Sequence, residues 1–154
     1  MREAMGNAAN IHATCVALGE AGILLRGPSG AGKSDLALRL IEAGAKLVAD
    51  DRVVVLRDGD RLIASAPDAL EGLIEVRGLG IVRLAPGRLA PSAALALVCD
   101  LVGAAEVDRL PEPSCAEILG IRLPRLALDP FEAASALKLR LAAGAGPGFI
   151  MVGA

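Results

Sequence analysis

The chain is predicted to be an α/β domain with a mixed sheet and few helices, and three observations predict it. The first is Gly27-Pro28-Ser29-Gly30-Ala31-Gly32-Lys33-Ser34, which satisfies the phosphate-loop pattern GxxxxGK[ST] at every position and follows the apolar run Gly22-Ile23-Leu24-Leu25, as a strand-fed loop should. The second is the stretch after it, where Leu36, Ala37, Leu40 and Ile41 recur at helical spacing against Asp35, Arg39 and Glu42, and Gly44 supplies a stop. The third is Asp58-Gly59-Asp60 between two strand-like runs, a hairpin signal that puts antiparallel pairing inside a strand–loop–helix domain.

The phosphate loop carries the chemistry. Its glycines let successive backbone N–H groups turn inward toward phosphate oxygens, and the helix that starts near Lys33 adds the positive end of its dipole. Gly27 through Ser34 are therefore expected to hold a nucleotide polyphosphate, with Lys33 on the β/γ-phosphates and the Ser34 hydroxyl on Mg²⁺.

The remaining elements follow in order. Ile11–Leu18 alternates loosely and reads as a strand, turned by Gly19-Glu20-Ala21-Gly22 into the strand that feeds the loop. Lys46–Ala49 is a short strand after the helix, and Arg52–Arg57 and Arg61–Ser65 flank the hairpin turn. Leu73–Arg77 and Ile81–Leu84 are separated by Gly78-Leu79-Gly80, and Leu95–Val102 is nearly continuous apolar residues, the mark of a buried central strand. Glu117–Leu123 is a further strand. Asp129-Pro130-Phe131-Glu132 presents a capping residue, a proline at the first helical position and an acid two residues on, which predicts a helix from Pro130 to about Ala143 with Phe131, Ala134, Leu137 and Leu141 inward. The glycine-rich stretch 144–154 reads as a flexible tail.

Composition narrows the function. The 154 residues suffice for one domain, 1–154, with a real core, and 54% apolar residues exclude disorder. Sixteen basic and 18 acidic residues are interspersed, Trp and Tyr are absent, and Phe131 and Phe149 are the two aromatics. Neither a basic stripe nor stacking platforms exist, so nucleic acid is not an expected partner. Uncharged stretches are too short or too broken by Gly and Pro to span a membrane, and no signal-peptide succession opens the chain, so a cytoplasmic location is expected. Cys15, Cys99 and Cys115 are widely spaced without a CxxC pair and read as small buried hydrophobes.

Phosphoryl transfer also needs carboxylates, to hold Mg²⁺ and to orient or deprotonate the nucleophile. Asp50 and Asp51 end the run Leu47-Val48-Ala49, at the sheet edge where ligands sit in open α/β folds, although a capped turn explains the pair as well. Asp100, at the end of Leu95–Cys99, is the rival on spacing alone. Glu75 lies inside Leu73-Ile74-Glu75-Val76-Arg77, where it is either a ligand or an outward-facing residue paired with Arg77. His12 is the one histidine.

Taken together, Gly27–Ser34, Leu47–Val53, Ile74–Ile81 and His12 resemble the catalytic domain of the HPr kinase/phosphorylase family, over roughly residues 10–102, in a short form without the amino-terminal domain of long members. The resemblance implies the P-loop fold related to phosphoenolpyruvate carboxykinase and an ATP- and Mg²⁺-dependent serine kinase acting on HPr, a small phosphocarrier protein. It implies Asp50 as general base with Asp51 in support, Ser34 and Glu75 on Mg²⁺, Lys33 on the transferred phosphate and His12 beside the base or the phosphates. Family members also run the reverse task, in which inorganic phosphate attacks phosphoserine and the same carboxylate protonates the leaving seryl oxygen. Long forms assemble as hexamers, so a homo-oligomer is compatible with the resemblance. They also carry a Gly-Arg-Asn segment whose Arg approaches the phosphates; the comparable stretch here is Leu126-Ala127-Leu128-Asp129-Pro130-Phe131, and Arg125 is the nearest basic residue.

Two other enzyme classes fall away. Asp100-Leu101-Val102-Gly103 fits a GTPase DxxG, but no NKxD follows, and a transporter-type LSGGQ is absent. A nucleotide-gated regulatory module without turnover is the alternative, and Asp50, Asp51 and Glu75 count against it, since a pure sensor needs no base.

Overall fold

A computed structural model describes residues 7–144, and the expectation of a tail beyond Gly144 lies outside them. The described chain forms strands β1 (Ala8–Ile11), β2 (Ala13–Leu18) and β3 (Ala21–Arg26), helix α1 (Lys33–Glu42), β4 (Lys46–Ala49), β5 (Val53–Asp58), β6 (Arg61–Ser65), β7 (Leu73–Val76), β8 (Gly80–Arg83), β9 (Ala93–Leu101), β10 (Ser114–Ile118), β11 (Ile121–Leu128) and helix α2 (Ser135–Ala142). None of the described helices is long and apolar enough to cross a membrane.

Nine strands make one mixed sheet in the order β1-β5-β6-β9-β3-β2-β4, with β11 parallel to the end of β9 and β10 antiparallel to β11. Strands β3, β9 and β11 are parallel and end at one edge. The Asp58-Gly59-Asp60 hairpin pairs β5 with β6 as expected. Strands β7 and β8 form a separate two-stranded hairpin.

One register organises the sheet. Ala8 lies opposite Leu56 on the β1–β5 side and Cys15 opposite Ala49 on the β2–β4 side, so the two pairs are a single antiparallel ladder, interrupted where Thr14 falls opposite Asp50 and Ala13 opposite Asp51. The Ala13 N–H still donates to the Asp51 carbonyl across the gap, at 3.3 Å. Because the two ends of the strand order are thus the same two chain segments, the sheet closes on itself. Ile11–Leu18, expected as one strand, is accordingly two, broken at His12.

Alternation sends successive β3 residues to two apolar clusters. Leu24 joins Cys15, Val53, Val55, Leu62 and Val98 inside the curl, while Ile23 and Leu25 join Leu36, Leu40, Ile41 and Leu139 beneath the helices. Leu36 and Leu40 are fully buried, and each contributes on the order of 1.5–3 kcal/mol. α1 ends as read: Gly44 has φ 112°, its N–H reaches the Ile41 carbonyl and the Ala45 N–H reaches Leu40, a Schellman closure.

The carboxyl-terminal helix differs from expectation. Asp129 Oδ1 does accept the Phe131 N–H, at 2.9 Å, but residues 130–134 remain a turn and α2 begins at Ser135. Arg39 of α1 holds the Pro130 and Glu132 carbonyls, which pins the turn and shifts the helix phase. Ser135 and Leu139 face inward, and Phe131, Ala134 and Leu137 are exposed. Cys15 and Cys99 are buried, and burial pushes both thiols up to about 12; Cys115 is exposed, contrary to expectation.

Candidate active site

β3 delivers the phosphate loop to the sheet edge, and Gly32, at φ 97°, turns it into α1. Only a residue without Cβ takes that angle cheaply. Lys33 is buried, and its Nζ donates to the Gly27 and Pro28 carbonyls at 2.7 and 2.9 Å, so the ammonium lies across the mouth of its own loop. Burial draws its pKa below the usual lysine range, while the charges of Asp50 and Asp51 oppose that shift.

The opposite wall comes from the interrupted ladder. Asp50, 5% exposed, accepts Thr14 Oγ1–H at 2.8 Å and Ser34 Oγ–H at 2.7 Å on Oδ1, and the Glu75 backbone N–H at 2.9 Å on Oδ2. The carboxylate thus ties together β2, the first turn of α1 and the β7–β8 hairpin without a formal counter-ion. Asp51 points the other way. Its φ of 71° is unusual for a residue with a side chain, its carboxylate is exposed, and Oδ1 lies 3.2 Å from His12 Nε2 at the break between β1 and β2.

These groups enclose a cleft of about 220 Å³. Of the residues singled out in the sequence, His12, Ser29, Gly30, Gly32, Lys33, Ser34, Asp50, Asp51 and Glu75 line it; Gly27, Pro28 and Ala31 belong to the loop but not to the lining. Glu75 is exposed, as an outward position on β7, and Arg77, two residues along the same face, also lines the cleft rather than forming an ion pair with it. Thr14 was not anticipated. Its signal was a lone hydroxyl in the otherwise apolar strand Ala13–Leu18.

Asp100 has a different setting. Arg26 grips it through Nε at 2.7 Å and Nη2 at 3.0 Å, and Arg125 through Nε at 2.5 Å. Burial pushes its carboxyl up, but the hydrogen bonds from Arg26 and Arg125 outweigh that and hold it below the usual carboxylate range. It does not line the cleft. Arg125, the basic residue nearest the stretch where long forms carry their phosphate-approaching arginine, is committed to Asp100, whereas Arg77 lines the cleft.

A strand-fed phosphate loop whose serine meets a buried aspartate, set on a curled, largely antiparallel sheet with helices on one side, defines a P-loop domain of the mixed-sheet kind. The model of the HPr serine kinase C-terminal domain matches residues 3–138, and the chain belongs to that family. It is 41% identical over 127 residues to an HPr kinase/phosphorylase of Geobacillus thermodenitrificans, covering 77% of this chain and 41% of that one, and 39% identical over 97 residues to one of Limosilactobacillus reuteri, covering 60% and 30%. The chain therefore spans less than half the length of these relatives. Among solved structures, the HPr(Ser) kinase/phosphatase of Coxiella burnetii superposes with a TM-score of 0.75 at 26% identity, covering 88% of this chain and 87% of that one.

Proposed function

We propose that this domain is a cytoplasmic kinase that transfers the γ-phosphoryl group of ATP to a seryl hydroxyl of HPr, and that Asp50 and Asp51 divide the work in the sense opposite to the sequence expectation. The observation that carries the division is the burial of Asp50 beside an exposed Asp51. Three of the roughly four acceptor sites on its carboxylate are already taken and it is 5% exposed, so a seryl hydroxyl carried on a protein reaches it less readily than it reaches Asp51. Asp51, exposed beside His12, is the carboxylate a protein substrate can reach.

In this mechanism Asp51 takes the seryl proton, the seryl oxygen attacks the γ-phosphorus, and the bond from that phosphorus to the β–γ bridging oxygen breaks to release ADP. His12 Nε2, 3.2 Å from Asp51 Oδ1, holds Asp51 in place. Lys33 and Arg77 face the phosphates and balance the charge that spreads over the transferring group. Run backwards with inorganic phosphate as the attacking group, the same site returns the proton to the seryl oxygen and yields pyrophosphate.

The donor set suits Mg²⁺. Ser34, Asp50 and Glu75 offer hard oxygens, and no cluster of three or more His, Cys, Asp or Glu suited to caging a metal occurs among the described residues, which matches an ion shared with substrate phosphates. Ser34, Asp50 and Glu75 would hold the ion, which would supply positive charge against the nucleotide phosphates. Incubation of the chain with Mg-ATP and purified HPr, followed by mass analysis, tests the reading. One phosphoryl group on a serine is expected; nucleotide binding with unmodified HPr would instead favour the regulatory module.

A further inference from the structure

The turn between β11 and α2 does something the phosphate loop cannot do alone. β3, β9 and β11 are parallel and end side by side, so the turn at 129–132 arrives next to the phosphate loop on the flank opposite Asp50 and Asp51. Contact is close: a Cβ at Gly32 would lie 3.0 Å from Pro130 Cβ and 3.2 Å from Phe131 Cε1. The turn is also firmly built. Asp129 accepts the Phe131 N–H, Ser135 Oγ–H donates to the Asp129 carbonyl, and Arg39 holds the carbonyls on both sides of Phe131.

Yet the ring so carefully placed is left in water. Phe131 is 63% exposed, although an aromatic ring gains more from burial than almost any side chain. We propose that Phe131 is the stacking platform for the base of the bound nucleotide. The inference rests on the nucleotide reading above and adds a direction to it. The γ-phosphoryl group must lie at the Asp51 flank, where the seryl proton is taken, so the nucleoside leaves the loop on the other flank, toward β11. The ring at Gly32 is what it meets there. Stacking uses the π-face that every base has, so the platform tolerates different bases, in keeping with a sequence that lacks a guanine-reading NKxD.

The test compares ATP, GTP and inorganic tripolyphosphate, each with Mg²⁺, as ligands of the whole 154-residue chain. Phe131→Ala should weaken ATP and GTP alike, by roughly tenfold to a hundredfold, and leave tripolyphosphate within about twofold. Phe131→Trp should keep the affinity; because the chain has no Trp or Tyr, its fluorescence reports on that ring alone and should be quenched by ATP but not by tripolyphosphate. Unchanged ATP affinity in Phe131→Ala, or an equal loss of tripolyphosphate, would overturn the platform and make the ring a prop for the loop. A wild-type chain that binds none of the three ligands removes the nucleotide reading, and the platform with it.

Discussion

Asp50 and Asp100 both end strands at the same edge of the sheet, both are largely shielded, and both are gripped by three hydrogen bonds, yet their partners differ in kind. Asp50 receives two hydroxyls and a backbone N–H, all neutral. Asp100 receives two guanidinium groups. A carboxylate held by neutral dipoles keeps its negative charge for something that arrives, whereas one held by two arginines has already been neutralised. The first arrangement suits a site and the second a brace, and the partners separate them where strand position does not.

The largest effect should come from the residue that faces the retained charge. Lys33→Ala is expected to abolish phosphoryl transfer while the circular dichroism spectrum remains that of the folded chain; an undiminished rate would take the phosphate loop out of the mechanism.

Next, Asp51→Asn should cut the transfer rate by roughly 10² to 10⁴, the general-base scale, with little change in nucleotide affinity. Asp50→Asn should act differently, raising the Mg²⁺ concentration needed for half-maximal rate, because an amide is a poorer ligand for a hard cation. If the rate loss at saturating Mg²⁺ fell on Asp50 and spared Asp51, the two roles would have to be exchanged.

Asp100→Asn sharpens the contrast from the other side. It should leave the transfer rate within about twofold and lower stability by about 1–3 kcal/mol, since it strands two arginines that are themselves about one-third exposed. A thermal midpoint lower by roughly 2–10 °C would register this.

The smallest effect is in pH. The folded state holds the Asp100 carboxyl below its ordinary value, so the stability it adds is present above about pH 4 and is lost as pH falls through the folded-state value. Acid unfolding of Asp100→Asn should therefore be less steep than that of the wild type below about pH 4. Equal slopes would mean that the two arginines do little for this carboxylate.

What could be read in advance was whatever local chemistry dictates. The phosphate loop, the amphipathic face of α1 and its closure at Gly44 follow from neighbouring residues, and Lys46–Ala49 and Arg61–Ser65 form the strands their composition suggests. The errors have non-local causes. The break at His12 exists because two distant segments share one ladder, and the delayed start of α2 follows from Arg39, about ninety residues away, gripping the preceding turn. Arg125 looked available because nothing in the sequence says that Asp100 is beside it. The adjacent Asp50 and Asp51 were found together, but which one is buried depends on an unusual backbone angle that a composition of two aspartates does not reveal.

The interrupted ladder also bears on how this chain can change over generations. Thr14, Asp50, His12 and Asp51 meet because two segments keep a common count from Ala8 opposite Leu56 to Cys15 opposite Ala49, beyond which the register shifts by a residue. Adding or deleting a single residue between Ala8 and Cys15, or between Ala49 and Leu56, would reverse which aspartate looks inward and turn apolar residues out to water at the same stroke. Such lengths are therefore inherited as a unit, and variation in size is expected to collect elsewhere, at Gly103–Pro113 between β9 and β10, where an added residue alters no pairing.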